Sequence, residues 1–292
     1  MPLLGISKAN LISRGAARYA DLVYLALRDK KLHKKGIAHT RLGSIDAGEL
    51  AAVADLTWAC VGMCVAKSPE EMLVVVGPEG TVFAYVGGKQ SKEQIAKAKD
   101  LRACTSIGGL PHACGMNRQV FVRVGANQWR PMNAPESSSD VAGFEAIDGF
   151  DTNEIYAVGW EGEIWRCVGG NWTNCQSPVN VILSGVCCAP DKNVYACGQQ
   201  GTLLRGRNEA WEILTTPDLD DDLWDVHWFD GKLYAASMSY LYTLDGDRLV
   251  PVNFGIEPPA SFYRLTDADG VLWSVGQEAI LSFDGAKWER WD

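Results

Sequence analysis

The sequence predicts an all-β protein: a seven-bladed β-propeller of four-stranded antiparallel blades, with residues 1–292 in a single domain. Three observations support this prediction. A hairpin pattern recurs about every 40 residues, small and turn-forming residues punctuate each copy, and a Trp-bearing segment follows several copies at the same place. Repeats of this length with hairpin composition are typical of propellers.

The hairpin pattern consists of an apolar strand, a small residue, a short turn and a second apolar strand. Clear copies occupy 154–166, 193–205, 232–244 and 271–283, and weaker copies occupy 21–33, 72–84 and 111–123. The first strand of each hairpin ends 38 to 50 residues after that of the hairpin before it, so seven copies fill the chain. These strands end at Leu27, Gly77, Gly115, Gly159, Gly198, Ser237 and Gly276. The expected units are approximately 11–45, 58–100, 101–133, 144–178, 183–215, 223–252 and 262–292.

The rest of each unit supports four strands. A short strand rich in small and apolar residues precedes each hairpin, as expected where seven strands crowd one axis. Trp129, Trp172, Trp211 and Trp288 recur at one place after the hairpins. We therefore expect these rings to cover the junctions between blades.

Two segments depart from the repeat. Residues 46–56 predict a short helix or a long loop. Residues 91–99 predict a helix, because Ser91 and Gln94 have the spacing of a capping box.

Cysteine content and hydropathy favour a cytoplasmic protein. Most of the nine cysteines lie in apolar runs, and the sequence contains no Cys-x-x-Cys pair, so we expect reduced thiols, no metal site and no cofactor. The longest apolar run near the N-terminus, Leu22–Leu27, is too short to span a membrane and has no signal peptide before it. We expect a soluble monomer with no membrane partner.

Charge is distributed unevenly along the chain. Residues 1–100 contain 14 Lys and Arg against 10 Asp and Glu, whereas residues 101–292 contain 13 against 26. This balance argues against nucleic acid as the partner of the larger part and favours a cationic protein. Solubility alone is the other explanation for such a charge.

The pattern Val-Gly-x-x-Gly-x-(Ile/Leu), followed by a turn and Trp, resembles bacterial YVTN/BNR-like (WD-repeat-like) propeller proteins over about residues 11–292. In WD-repeat blades a Trp-Asp pair ends the third strand and a Gly-His pair comes earlier. Here Trp224–Asp225 lies in the short strand before a hairpin, and the sequence contains no Gly-His pair. A sialidase-type Asp box is also lacking, since Ala268 replaces its Asp. Proteins with such repeats include cytoplasmic immunity proteins of bacterial antagonism, which mask toxins. The resemblance implies a toxin-binding role of this kind.

Partner-binding candidates lie where the loops between blades share a face with the turns inside the central hairpins. The four aspartates within 218–222 would steer a basic toxin domain, although a solvated loop or a calcium site are alternatives. Trp160 follows Gly159 at a turn, where an aromatic ring has no blade to pack against and could bind a partner. The candidates are Met116, Trp160, Glu161, Asp218, Asp220, Asp221, Asp222 and Tyr240.

No catalytic motif is present, so we do not expect an enzyme. The alternative is a propeller-type lyase or hydrolase that uses polar residues of the strands before the hairpins, which meet at the axis. A water-filled channel without a substrate site would be lined by the same residues. These residues are Glu145, Asp225, His227, Tyr263 and Arg264.

Overall fold

Each repeat forms one four-stranded antiparallel sheet, and the innermost strands of the seven sheets contact one another in a closed ring in the computed structural model. The structure describes residues 6–136, 139 and 141–291. Strands follow chain order from the axis outward, which confirms a seven-bladed propeller in a single domain. Blades 1 to 4 comprise β1 (Asn10–Tyr19), β2 (Leu22–Asp29), β3 (Thr40–Asp46) and β4 (Glu49–Leu56); β5 (Gly62–Ala66), β6 (Met72–Val76), β7 (Thr81–Val86) and β8 (Lys89–Gln94); β9 (Leu101–Ile107), β10 (Leu110–Gly115), β11 (Val120–Gly125) and β12 (Gln128–Pro131); and β13 (Phe144–Gly149), β14 (Glu154–Gly159), β15 (Ile164–Val168) and β16 (Asn171–Cys175).

Blades 5 to 7 follow the same plan with shorter strands, and the helices are short additions to it. Helix α1 (Ile6–Ala9) precedes β1, α2 (Lys30–Lys34) follows β2, and a 3₁₀ turn (Trp160–Gly162) follows β14. Within the described residues, no helix is long and apolar enough to cross a membrane. The remaining strands are β17 (Leu183–Cys188), β18 (Val194–Gly198), β19 (Leu203–Arg207), β20 (Ala210–Ile213), β21 (Asp225–Phe229), β22 (Lys232–Ala236), β23 (Leu241–Asp245), β24 (Arg248–Pro251), β25 (Arg264–Ala268), β26 (Val271–Val275), β27 (Ile280–Phe283) and β28 (Trp288–Arg290).

The short helix or long loop predicted for residues 46–56 and the helix predicted for residues 91–99 are both wrong. Residues 49–56 form β4, so blade 1 extends beyond residue 45, and residues 91–94 belong to β8. Both are outermost strands whose side chains are mostly exposed, so they lack the alternating apolar pattern that identifies a strand. Pairing with β3 and β7 overrides their helix-favouring composition.

The repeated Trp residues cover blade junctions, as predicted. Trp172 of blade 4 donates its indole N–H to the carbonyl of Met132 at the end of blade 3, at 2.6 Å. The ring of Trp211 in blade 5 lies 6.2 Å from that of Tyr156 in blade 4. Trp288 contacts Phe254 of the preceding blade at a centroid distance of 5.1 Å. Each ring therefore fixes one blade against the blade before it.

Close backbone approach explains the glycines that end the second strands. A Cβ atom at Gly159 would overlap the carbonyl oxygen of Gly143, and one at Gly198 would overlap that of Ile182. In both blades the segment entering the innermost strand passes directly beside this position. A side chain there would separate the first strand from the second.

Blade 1 closes the ring against blade 7 without sharing a strand. Trp273 is fully buried in the junction, 5.6 Å from the ring of Trp291. The backbone N–H of Ile12 donates to the carbonyl of Gln277 at 2.9 Å. Helix α1 adds the buried side chain of Ile6 to the same apolar cluster. Packing between separate segments, rather than a shared sheet, thus joins the two ends of the chain.

All nine cysteines are free thiols, and eight are buried. They pack as small apolar groups, which agrees with the prediction of reduced thiols. Burial raises the pKa of Cys60 to about 11, so this thiol stays protonated at neutral pH.

A buried ion pair joins blades 2 and 3. Nε and Nη2 of Arg123 donate three hydrogen bonds to the Glu93 carboxylate, the shortest of 2.8 Å, and Trp129 Nε1 donates a fourth at 3.0 Å. Burial alone would raise the pKa of Glu93, but these donors lower it below its usual value. The pair was not anticipated because its members lie 30 residues apart in different repeats.

Replacing Glu93 should destabilise the propeller. Glu93→Gln leaves the buried Arg123 charge without its counter-ion, which costs about 3 to 5 kcal/mol of unfolding free energy. The control is Asp55→Asn, which removes the partner of Arg41 in an exposed pair and should cost less than about 1 kcal/mol. Urea unfolding at pH 7 measures both variants. Equal midpoints for the two would contradict the assignment.

Candidate functional site

The antiparallel order of the strands defines two faces of the disc. Loops between blades and turns between second and third strands lie on one face, here called the connector face. Turns after the first and third strands lie on the other, here called the opposite face. All the predicted partner-binding residues belong to the connector face.

Met116, Trp160 and Glu161 come together at the junction of blades 3 and 4. Met116 forms an isolated bridge with Gly143, whose carbonyl accepts a bond from the Trp160 N–H at 3.0 Å. Glu161 is exposed and accepts a bond from the Ser139 hydroxyl at 3.3 Å. The structure thus places these three candidates in one cluster, the blade 3–4 cluster.

Trp160 is not a free aromatic tip. It is half-buried, and its indole N–H donates to Oε1 of Glu145 at 2.6 Å. The 3₁₀ turn brings the ring back towards the start of β13, where Glu145 lies. The expectation that nothing packs against this ring is wrong. Trp160 instead connects the blade 3–4 cluster to the axis.

The aspartates of residues 218–222, here the acidic connector, differ in their environments. Asp218 and Asp220 are exposed. Asp222 accepts a bond from the Gln200 N–H at 3.0 Å, and Asp221 is half-buried beside the hydroxyl of Ser237 at 3.4 Å. Asp221 and Asp222 therefore hold the connector to its neighbours, while Asp218, Asp220 and Asp222 are exposed.

Tyr240 lies beside the acidic connector in the central turn of blade 6. Its side chain is 52% exposed, and its ring lies 5.9 Å from that of Tyr242. The Ser237 hydroxyl accepts the Tyr240 N–H at 2.9 Å and fixes the turn. An exposed aromatic ring on the same face as exposed carboxylates can bind a partner that presents cations and apolar surface.

The seven innermost strands surround an axial cavity of about 410 Å³. Each of these strands starts at the connector face, so residues early in a strand lie at that end of the cavity, here called the mouth. Glu145, Asp225 and Arg264 line the cavity at this end, whereas Tyr263 lies directly before β25 and is not part of the cavity lining. Arg14 and Arg102 also line the cavity, although the sequence analysis did not select them.

Two acidic side chains of the cavity accept hydrogen bonds from backbone groups of the next innermost strand. Asp225 accepts the N–H of Leu265 at 2.9 Å, and Asp148 accepts the N–H of Cys188 at 2.7 Å. An innermost strand pairs with a neighbour on one side only, so its other edge needs such partners. Part of the polarity at the axis is therefore structural.

His227 pairs with Asp267 further along the cavity, at 2.7 Å from Nε2 to Oδ1. Burial alone would lower the pKa of His227, but Asp267 and more distant carboxylates raise it above its usual value. Burial raises the pKa of the neighbouring Asp148 to about 6. In the part of the chain that the structure describes, no group of three His, Cys, Asp or Glu side chains is arranged to hold a metal ion.

The connector face has positive and negative regions. Lys31, Lys34 and Lys35 are exposed on and directly after α2 in blade 1. Lys30 of the same helix pairs with Glu278 of blade 7 at 2.6 Å. Blades 6 and 7 separate this basic region from the acidic connector. The fold thus converts the charge asymmetry of the sequence into an asymmetry across one surface.

Solved structures with a similar fold confirm the architecture. YCF48, solved with a D1 peptide, matches with a TM-score of 0.69 at 13% identity, covering 94% of this chain and 91% of that one. The extracellular domain of the hybrid two-component system BT4673 from B. thetaiotaomicron matches with a TM-score of 0.72 at 13% identity, covering 96% of this chain and 38% of that one. At this identity the likeness shows a shared fold alone.

The architecture places the chain in the class of seven-bladed propellers. No protein-family model matches it. The chain is 43% identical over 293 aligned residues to immune protein Tsi7 of Pseudomonas aeruginosa (strain PAO1), covering 95% of this chain and 96% of that protein. It belongs to the Tsi7 family of immune proteins.

The raised pKa of Asp148 predicts a specific pH dependence. Its folded pKa of about 6 lies above the unfolded value of about 4, so its ionised form destabilises the fold above pH 6. This destabilisation should disappear as the pH falls from 6 to 4. Asp148→Asn retains an acceptor for the Cys188 N–H and removes the charge. It should be more stable than the wild type at pH 8 and lose that advantage near pH 4.

Thermal unfolding of the wild type and Asp148→Asn across this range measures the effect. A stability difference that does not change with pH would contradict the assignment.

Proposed function

We propose that this chain is a cytoplasmic, monomeric immunity protein that binds a basic bacterial toxin domain and masks it with the connector face. The observation that carries the proposal is the exposed Tyr240 ring, which shares the connector face with the exposed carboxylates of the acidic connector, on a member of the Tsi7 family. The partner is a protein, and the interaction involves neither nucleic acid nor membrane. Binding needs no cofactor and no catalysis by this chain.

The proposed interface has an anchor and a steering element. Tyr240 is the anchor, because a large ring held by an ordered turn loses little entropy on binding. Asp218 and Asp220 attract the basic partner before contact. Asp221 and Asp222 keep the acidic connector in place through their bonds to blades 5 and 6.

The blade 3–4 cluster is the second contact region of the proposed interface. Met116 contributes a flexible apolar side chain, and Glu161 adds an exposed carboxylate. Trp160 contributes through the exposed part of its ring while its indole N–H remains bonded to Glu145.

Neutralising Asp218 and Asp220 together should slow association with the toxin. Asp218→Asn/Asp220→Asn should lower the association rate constant about three- to tenfold at low salt and flatten its dependence on ionic strength. Asn tolerates the positive φ of Asp218, so the connector should keep its shape. The candidate toxin is the protein encoded by the neighbouring reading frame. Surface plasmon resonance measures the association rate constant of each variant with it.

The matched control is Asp230→Asn/Asp269→Asn, which removes two exposed charges from turns of the opposite face, also at positive φ. It removes the same net charge and should slow association much less. Equal slowing by both double variants would mean that net charge, rather than the acidic connector, steers the toxin. Unchanged kinetics for the first variant would overturn the proposed steering role.

The His227–Asp267 pair supports a second candidate function, that of a propeller-type lyase or hydrolase. Its axial pocket would comprise Glu145, Asp225, His227, Tyr263 and Arg264, with His227 as the acid or base. His227→Ala would then abolish turnover without affecting capture of the toxin. The masking proposal instead expects His227→Ala to protect cells that express the toxin as well as the wild type does. Lost protection with capture retained would favour the enzyme.

A further inference from the structure

The mouth of the axial cavity contains two neighbouring guanidinium groups that share one tyrosine. The Cζ atom of Arg264 lies 4.7 Å from the centre of the Tyr263 ring, and that of Arg14 lies 5.8 Å from it. Tyr263 is held in turn against Trp224, with 5.4 Å between ring centroids. Two cations are thus fixed on one rigid aromatic platform.

Neither guanidinium has a carboxylate within ion-pair distance among the described residues. Arg14 donates to the carbonyls of Val61 and Ser13, at 3.1 and 2.8 Å, and Arg264 donates to the carbonyl of Trp224 at 2.8 Å. These neutral acceptors position the two groups. Burial alone would lower the pKa of Arg264, but Tyr263 and Asp225 raise it above its usual value. Burial lowers the pKa of Arg14, and repulsion from Arg264 lowers it further.

The carboxylates near the mouth are already engaged. Asp225 accepts two backbone N–H groups, those of Val226 and Leu265. Glu145 accepts the Trp160 indole and lies 3.6 Å from Nε of Arg102. The Nε atoms of Arg264 and Arg102 are buried and have no hydrogen-bond acceptor among the described residues. Buried donors without acceptors are uncommon in folded proteins and indicate a missing acceptor.

We propose that the mouth is an oxyanion-binding site, in which Arg14 and Arg264 bind a carboxylate or phosphate group and Arg102 borders it. An oxyanion relieves the repulsion between the two guanidinium groups and supplies acceptors in the geometry that arginine favours. The site lies at the connector face, so the oxyanion comes either from a free small anion or from an acidic side chain of the docked toxin. Only the second source rests on the proposed function.

Tyr263 reports on the site without any change to the binding residues. Burial alone would raise its pKa, but Arg264 and Arg14 lower it below the usual value. An oxyanion bound between the arginines cancels part of their field, so the pKa of Tyr263 should rise on binding. Ultraviolet difference absorbance follows the phenol titration, and Tyr263→Phe identifies its contribution.

The test titrates the purified chain with inorganic phosphate and with glutarate at constant ionic strength. For a free anion, the pKa of Tyr263 rises with saturation, and Arg264→Gln weakens binding roughly tenfold, the loss of one charge-assisted hydrogen bond. The control Arg41→Gln removes an exposed arginine of blade 1, far from the axis, and should bind as the wild type does.

A second arm measures toxin affinity for the same variants. If the anion belongs to the toxin, Arg264→Gln weakens the complex while Arg41→Gln does not, whether or not phosphate binds. The proposal is overturned if neither anion shifts the Tyr263 titration and Arg264→Gln binds the toxin as tightly as Arg41→Gln does. Failure of the wild type to bind any toxin would overturn the proposed function but leave the phosphate arm intact.

Discussion

Apolar contact between neighbouring blades is the interaction on which the whole structure depends. A four-stranded sheet with two apolar faces is unstable alone, and a ring of such sheets buries all of these faces. At the junction of blades 1 and 7, packing of apolar side chains is enough to close the ring. Ile12, Val23 and Leu25 of blade 1 pack with Trp273 and Val275 of blade 7, with no strand shared between them. Because the two ends of the chain meet there, every other blade depends on this contact for its position.

The same ring creates the chemistry at the axis. Each of the seven innermost strands has one edge without a neighbouring strand. A side chain of the preceding blade can accept a backbone N–H of this edge, as Asp225 does for Leu265, 40 residues later in the chain. Arg14 and Arg264 donate to carbonyls in this network, and no carboxylate of the described residues lies within ion-pair distance of either guanidinium. A polar axis in a propeller is therefore partly a structural requirement. Groups that remain uncompensated after that requirement is met are the better indicators of a ligand.

Repeat spacing made the fold predictable, because hairpins and Trp residues recur at fixed positions. Segments that depart from the repeat were not predictable: β4, with the sequence ELAAVADL, has the composition of a helix and becomes a strand only by pairing with β3. The axial candidates could be selected because their positions within the repeat place them at the axis. Arg14 was missed because it belongs to a unit whose hairpin matches the repeat only weakly, and the Trp160–Glu145 bond was missed because a 3₁₀ turn redirects the ring.

On the connector face, the basic region of α2 and the acidic connector lie on either side of blades 6 and 7, around a mouth that contains arginines. A partner that covers this face must match all three regions, which favours one specific protein over any cation. Hydrogen exchange of the chain, alone and with the proposed toxin partner, tests this most directly. Masking predicts slowed exchange confined to the connector face, at residues 115–119, 159–163, 216–223 and 237–241. Slowed exchange confined to the opposite-face turns or to the outermost strands would contradict it.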